Sequence, residues 1–217
     1  MKIVTAEQRS PAWFAARRGI PTASRFDSIL TPKTGKPAAA QETLINSLIA
    51  ESITPPDAGF IRPQFLSEEM EQGMILEAES RCSFELEFAK APVAEVGFVL
   101  HDSSLFGASP DGLVGEVSGV ELKCPKAETV VGYIRAGVLP DAYKCQVHGS
   151  MVVTGRDSWS FFAYARNLPP FHVLVKRDDF TAVLEKEIFN FCERYNMERE
   201  IFGLNRIGDP AYIRAVK

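Results

Sequence analysis

Along this chain the spacing of hydrophobic residues switches between a period near 3.6 and a period near 2, and the switches predict its elements. The segment "SPAWFAARRGIPTASRFDSIL" reads as two short helices. Ser10 is placed to cap the first, with Pro11 in its opening turn; Gly19 ends it, and Thr22 or Ser24 opens the second. Residues 31–40, "TPKTGKPAAA", are rich in turn formers and lysine and predict an exposed loop, with a helix following over about 41–52. A second loop, "TPPDAGFIRP", leads into "QFLSEEMEQGMILEAESRCSFELEF". There Phe65, Leu66, Met70, Met74, Ile75 and Phe84 fall at largely helical spacing, which predicts a long acidic helix interrupted at Gly73.

Residues 93–107 alternate as a strand, and "ASPDGLVGEVSGVELKCP", residues 108–125, supplies a turn and a returning strand. "AETVVGYIRAG" and "DAYKCQVHGSMVVTG" go back to helical spacing, the second ended by Gly155. "SWSFFAYAR" and "FHVLVKRD" are strands, and "DFTAVLEKEIFNFCERYNMEREIF" is a long amphipathic helix. This order predicts an α/β domain in which helices flank a central mixed β-sheet. A length of 217 residues accommodates one well-cored domain and leaves little for a second.

Composition changes this picture at three points. No run approaches the roughly 20 apolar residues of a membrane span, and "MKIVTAEQRS" lacks the apolar core of a signal peptide, so a cytoplasmic protein with no membrane partner is expected. Cys82, Cys124, Cys145 and Cys192 are scattered, so reduced thiols are expected; with no C-x-x-C pair the metal spacing is poor, although Cys145 and His148 are three apart and Cys124 could fold near them. Net charge is −4 but unevenly spread. Residues 1–36 hold seven Lys and Arg against Glu7 and Asp27, net +5, which leaves −9 for the remainder. That asymmetry fits a solvated basic surface or a local anion site.

The chemistry concentrates in residues 108–125. Period-2 alternation in "VELKC" puts Glu121 and Lys123 on one face and Leu122 on the other. If the turn folds the strands back, Asp111 comes beside Glu121. Two carboxylates that close repel unless a cation lies between them, and an all-oxygen set suits Mg²⁺ or Mn²⁺. A lysine at that spot can orient a water and stabilise charge on a phosphoryl oxygen, as phosphodiester hydrolysis requires. Spacing alone also describes a surface hairpin whose Lys123 merely pairs with an acid, a contact worth at most about 1 kcal/mol.

The neighbouring residues narrow the choice. "SPDGL" followed by "ELKCP" resembles the catalytic core of the phage lambda-type alkaline exonucleases, the viral recombinase branch of the PD-(D/E)xK nuclease superfamily. "AWFAARRGIPTAS", "GMILE", "AYKCQVHGSM" and "FHVLVKRDD" are similar to further motifs of that family, in family order, across roughly residues 10–200. The resemblance implies a restriction-endonuclease-like core and a single nuclease domain over 1–217. Within it, 1–36 would be a basic helical arm for DNA ends, about 90–177 the catalytic sheet core, and 178–203 the C-terminal helix.

Residue by residue, the resemblance implies Asp111 and Glu121 as metal ligands with the backbone carbonyl of Leu122, and Glu77 as an acid near a second ion. Lys123 would assist the attacking water, with Gln146 positioning the nucleophile or Lys123. Arg17, Ser24 and Ser109 would hold a 5′ phosphate, although each also fits as a helix-surface cation, a cap and a turn residue. Met70 would be a strand-separating wedge or a core residue, and Trp13 a base-stacking group or, in preference, an anchor of the first helix. His148 is expected to pack or hydrogen-bond. The implied activity is Mg²⁺-dependent 5′-to-3′ exonuclease action on double-stranded DNA ends, leaving 3′ tails for recombination. The implied assembly is a homotrimeric ring working with a single-strand annealing protein. The competing expectations are a site-specific or structure-specific endonuclease of the same fold, an iron–sulfur nuclease, and a non-catalytic DNA-end binder.

Overall fold

The computed structural model describes residues 1–54 and 68–209, with side chains in the second stretch described from residue 75. Residues 55–63 of the loop "TPPDAGFIRP", Phe65 and Leu66, and the side chains of Met70 and Met74 lie outside the described residues. The chain opens with strand β1 (Lys2–Val4), helix α1 (Pro11–Arg17), a 3₁₀ helix (Ala23–Ser28) and α2 (Gln41–Ile53). Ser10 caps α1 by accepting the Trp13 amide at 3.2 Å, and Pro11 occupies its first turn. The 1–36 arm is therefore not wholly helical, since β1 pairs antiparallel with a later strand. Its second helix is 3₁₀ rather than α.

Helix α3 (Glu68–Glu87) runs without a break through Gly73, against the expected interruption. A single interior glycine costs about 1 kcal/mol, which Phe84, fully buried against the sheet, readily offsets. The strand expected over 93–107 divides into β2 (Val93–Ala94), β3 (Phe98–Leu100) and β4 (Gly107–Ala108). A turn at 101–104, with Ser104 at φ 59° and its amide bonded to the His101 carbonyl at 2.8 Å, causes the second of these breaks. There follow β5 (Gly112–Val114), β6 (Ser118–Lys123), α4 (Ala127–Ala136), α5 (Asp141–Thr154), β7 (Ser158–Ala163), β8 (Phe171–Lys176) and α6 (Asp179–Ile201).

Two sheets result: a small β1-β3-β4 sheet and a mixed five-stranded sheet ordered β2-β5-β6-β7-β8. Only β6 and β7 run parallel, joined by the α4–α5 crossover; the other pairs are antiparallel. One face of the large sheet packs Trp159 and Phe161 against Val130 of α4 and Val147 and Met151 of α5. The opposite face packs Val120, Leu122 and Phe162 against Phe84 of α3. A separate cluster joins α2, α5 and α6 to the 3₁₀ helix and the small sheet. All four cysteines are free thiols. Among the described residues no helix is long and apolar enough to cross a membrane.

Helix α5 is the hub, touching the sheet on one side and the 3₁₀ helix on the other. Gly149 makes the second contact close, because a Cβ there would lie 2.3 Å from Phe26 Cδ2. Helix propensity alone would make Gly149→Ala stabilising by about 1 kcal/mol. Overpacking against the buried Phe26 ring reverses the sign, so the variant is expected to lose about 2 kcal/mol in urea unfolding.

Candidate active site

The β5–β6 ladder pairs Gly112 with Val120 and Val114 with Ser118, which brings the next residues out, Asp111 and Glu121, side by side at its open end. Gly112 allows β2 to pack closely on β5 beside this site, since a Cβ there would meet Val93 Cγ1 at 2.5 Å. At the closed end Arg156 Nη1 donates to the carbonyls of Gly115 at 2.8 Å and Ser118 at 2.5 Å. That clamp holds the turn, and with it the register that sets Asp111 opposite Glu121.

Each carboxylate is then positioned by a different part of the fold. Asp111 Oδ2 accepts the Leu122 amide at 2.7 Å. In an extended strand a residue's N–H and C=O leave from the same edge, so the Leu122 carbonyl also faces the Asp111 side. Glu121 is buried, and its Oε1 accepts both Lys123 Nζ at 2.5 Å and Gln146 Nε2 at 2.5 Å. Gln146 arrives from α5. The Tyr143 ring, one turn earlier on that helix, lies 5.4 Å from Lys123 Nζ. The structure thus brings Asp111, Glu121, Leu122, Lys123 and Gln146 together.

Burial, and then the charge of Glu121, push the Asp111 carboxyl up to about 7, with Lys123 and the Leu122 amide opposing. Burial alone would lower the Lys123 ammonium, but the charges of Glu121 and Asp111 outweigh it and raise the group above its ordinary value. A buried carboxyl beside a second carboxylate fits a hard cation, and the donors here are oxygens. The set is incomplete as it stands: among the described residues no three His, Cys, Asp or Glu side chains converge enough to hold a metal. Glu77 lines the same cleft as Asp111, and its Oε2 accepts from Arg9 Nη2 at 2.9 Å.

The expected phosphate residues are partly assembled. Arg17 Nη1 donates to Ser109 Oγ at 2.6 Å, two residues before Asp111. The guanidinium lies 4.0 Å over the Trp13 ring, and burial pulls it below its ordinary value to about 10, still charged at neutral pH. Ser24 is exposed on the 3₁₀ helix, 3.3 Å from Thr22 Oγ1, and Thr22 bridges to Gly107 on the strand leading to Ser109. Trp13 is an anchor: its indole N–H donates to the Gly97 carbonyl at 3.0 Å and to Ser109 Oγ at 2.9 Å. His148 is buried and bonds Thr181 Oγ1 at 2.7 Å through Nδ1. Met70 falls on the first turn of α3, where side chains lie outside the described residues.

Three further residues complete the surroundings. Gln8 Nε2 donates to the carbonyls of Val96 and Pro110, each at 2.9 Å, and so holds the chain just before Asp111. Arg81 Nη2 donates to the Asp111 carbonyl at 2.7 Å. Arg9 reaches Glu77. Arg81 was within reach of sequence reasoning, because four residues after Glu77 it shares that residue's helix face; Gln8 and Arg9 carry no such signal. With Asp111 and Glu77 these side chains line a cleft of about 420 Å³.

The raised Asp111 carboxyl makes the metal-free protein sensitive to pH. An acid raised from about 3.9 in the unfolded chain to about 7 when folded stabilises the fold while protonated. That contribution is complete below about pH 4 and is lost as pH rises through 7. The melting temperature of chelator-treated protein is expected to fall between pH 5 and pH 8, and Asp111→Asn to flatten that fall.

Comparison with known proteins identifies the family. A family model described as the YqaJ-like viral recombinase domain matches residues 12–157, about two-thirds of the chain. The crystal structure of an alkaline exonuclease (LHK-Exo) from Laribacter hongkongensis is 32% identical, with a TM-score of 0.75 over 89% of this chain and 96% of that one. The same figures hold for LHK-Exo in complex with dAMP. A phage-related exonuclease from Haemophilus somnus 129PT, 13% identical with a TM-score of 0.50 over 89% of this chain and 94% of that one, shares the fold. No curated protein matches. The matched stretch contains the Arg17–Ser109 contact, the carboxylate pair and Gln146, and on these grounds the chain belongs to the YqaJ-like viral recombinase family, of the alkaline-exonuclease type.

Proposed function

We propose that this protein is a Mg²⁺-dependent exonuclease that degrades one strand of linear double-stranded DNA from its 5′ end, releasing mononucleotides and leaving a 3′ single-stranded tail. The observation that carries this reading is Glu121 Oε1, which receives both Lys123 Nζ and Gln146 Nε2 beside Asp111. Asp111, Glu121 and the Leu122 carbonyl would hold Mg²⁺ or Mn²⁺, with Glu77 available to a second ion. When bound, such an ion stabilises charge on phosphoryl oxygens and makes a water more acidic. While Glu121 is charged, Lys123 stays protonated, so its part is to orient the water and neutralise developing charge rather than to remove a proton. Gln146 holds the Glu121 carboxylate in one orientation.

The 5′ polarity is supported by Arg17 and Ser109, whose guanidinium and hydroxyl make a phosphate-binding pair two residues from Asp111, with Ser24 adding a hydroxyl. Met70 would serve as the strand-separating wedge. Mononucleotide release is supported by the complex of LHK-Exo with dAMP. Phosphate contacts would dominate, so binding is sequence-tolerant and weakens with salt. The family resemblance supports the rest of the reading: a homotrimeric ring, a single-strand annealing partner, and a place in recombination in the cytoplasm of a bacterial or phage-infected cell.

The test uses linear duplex labelled at either end, with and without a 5′ phosphate, in Mg²⁺ or chelator. Progressive loss from the phosphorylated 5′ end is expected only with Mg²⁺, and Lys123→Ala should slow it about 100-fold or more. Cutting of closed circles at a similar rate would instead identify an endonuclease, and DNA bound but left intact an end binder. In the same assay Arg17→Ala should remove the advantage of phosphorylated over hydroxyl 5′ ends, with about a tenfold rise in the half-saturating concentration of ends.

A further inference from the structure

Arg9 is distinguished first by its backbone. At φ 68° it is one of three non-glycine residues in the left-handed region among the described residues, and a side chain is held there only when its surroundings over-determine it. The chain on both sides explains the geometry. Gln8 is pinned to the carbonyls of Val96 and Pro110. The Ser10 amide is bonded to the Glu7 carbonyl at 3.1 Å, and Ser10 caps α1. One residue must turn the chain from the cleft wall into the helix, a demand that glycine meets without strain. The arginine side chain is not needed for the turn, so its role lies in what it reaches.

It reaches Glu77. The Arg9 Nη2 to Glu77 Oε2 pair, at 2.9 Å, is partly exposed, with 54% of the Arg9 side chain and 32% of the Glu77 side chain open to solvent. Both residues line the cleft that contains Asp111. Glu7, Glu77, Glu95 and Asp111 there outnumber Arg9 and Arg81, so the cleft favours a cation over a second anion. Arg81 is committed to the Asp111 carbonyl and lies 3.4 Å from Glu95, which leaves Arg9 as the mobile charge of the two. Arg9 occupies Glu77 Oε2, so a divalent ion that bound Glu77 through that oxygen, alone or together with Oε1, would displace the guanidinium from it. The displaced guanidinium, still tethered at the rim, would face the incoming strand, whose phosphates it can grip bidentately.

We propose that Arg9 is an exchangeable counter-ion, neutralising Glu77 in the metal-free protein and transferring to a backbone phosphate of DNA in the cleft when a divalent ion takes Glu77. The proposal rests on the nuclease reading above and on Glu77 serving the second ion. Metal and DNA then assist each other: each removes an obstacle to the other at Arg9, and the coupling is reciprocal.

The test compares the wild type with Arg9→Gly, which relieves the backbone, and Arg9→Gln, which keeps the backbone demand and removes only the charge. Mn²⁺ binding without DNA is followed by the electron paramagnetic resonance of the free ion. Binding of a 5′-phosphorylated duplex end in Ca²⁺ is followed by fluorescence anisotropy over a range of salt. Both variants are expected to bind the weaker Mn²⁺ about fivefold or more tightly than the wild type. Both should also bind the duplex about five- to tenfold more weakly, with the log–log salt slope reduced by about one. Arg9→Gly should melt no lower than the wild type, which excludes misfolding as the cause. Mn²⁺ binding unchanged in the variants would mean that Arg9 does not compete at Glu77. An unchanged duplex affinity and salt slope would mean that it does not contact DNA; either result overturns the exchange while leaving the nuclease reading intact. Wild-type protein that binds no Mn²⁺ and degrades no DNA would fail the underlying reading instead.

Discussion

Two carboxylates side by side at the open end of one hairpin repel each other, and much of the surrounding fold answers that repulsion. Asp111 gains the Leu122 amide. Glu121 gains an ammonium from its own strand and an amide from a helix more than twenty residues later. The Asp111 backbone is fixed by Arg81 from α3 on one face of the sheet and by Gln8, through Pro110, from the N-terminal segment. Burial first, and then the charge of Glu121, still raise the Asp111 carboxyl despite these partners.

The topology explains how those partners arrive. Strands β6 and β7 are parallel, and parallel neighbours need a crossover connection. Here the crossover is α4 and α5, so the helix that carries Gln146 must lie across the face on which Glu121 and Lys123 point. The same helix packs its other side on the 3₁₀ helix, Gly149 against Phe26. That contact ties the segment bearing Arg17 and Ser24 to the hairpin. Ser109 and Asp111 are two residues apart on one chain, so the Arg17–Ser109 contact and the carboxylate pair are held at a nearly constant distance by covalent structure.

Charge along the first 36 residues acquires a different meaning once the pairs are seen. Arg25 binds Glu51 at 2.7 Å, Arg9 binds Glu77, and Lys33 approaches Asp141 at 3.8 Å. Much of the basic excess is thus spent on joining the N-terminal segment to α2, α3 and α5. Arg17 differs, since it is stacked on Trp13 and bonded to a neutral hydroxyl and keeps its charge available.

The sequence by itself determined the local elements and the face on which Glu121 and Lys123 lie, because strand and helix periods are properties of neighbouring residues. The SPDG and ELK stretches likewise carried the family resemblance, and the juxtaposition of Asp111 and Glu121 was legible because the hairpin that unites them closes within about ten residues. Only the tertiary structure decided that residues 93–107 divide between two sheets and that Lys2–Val4 forms an edge strand. Only it decided that Glu77 answers to Arg9, and that Gln8 and Arg81 hold the chain around Asp111. Those contacts join residues far apart in the chain, where no local spacing constrains the partner; they are set by how helices, sheets and loops pack once the core has closed.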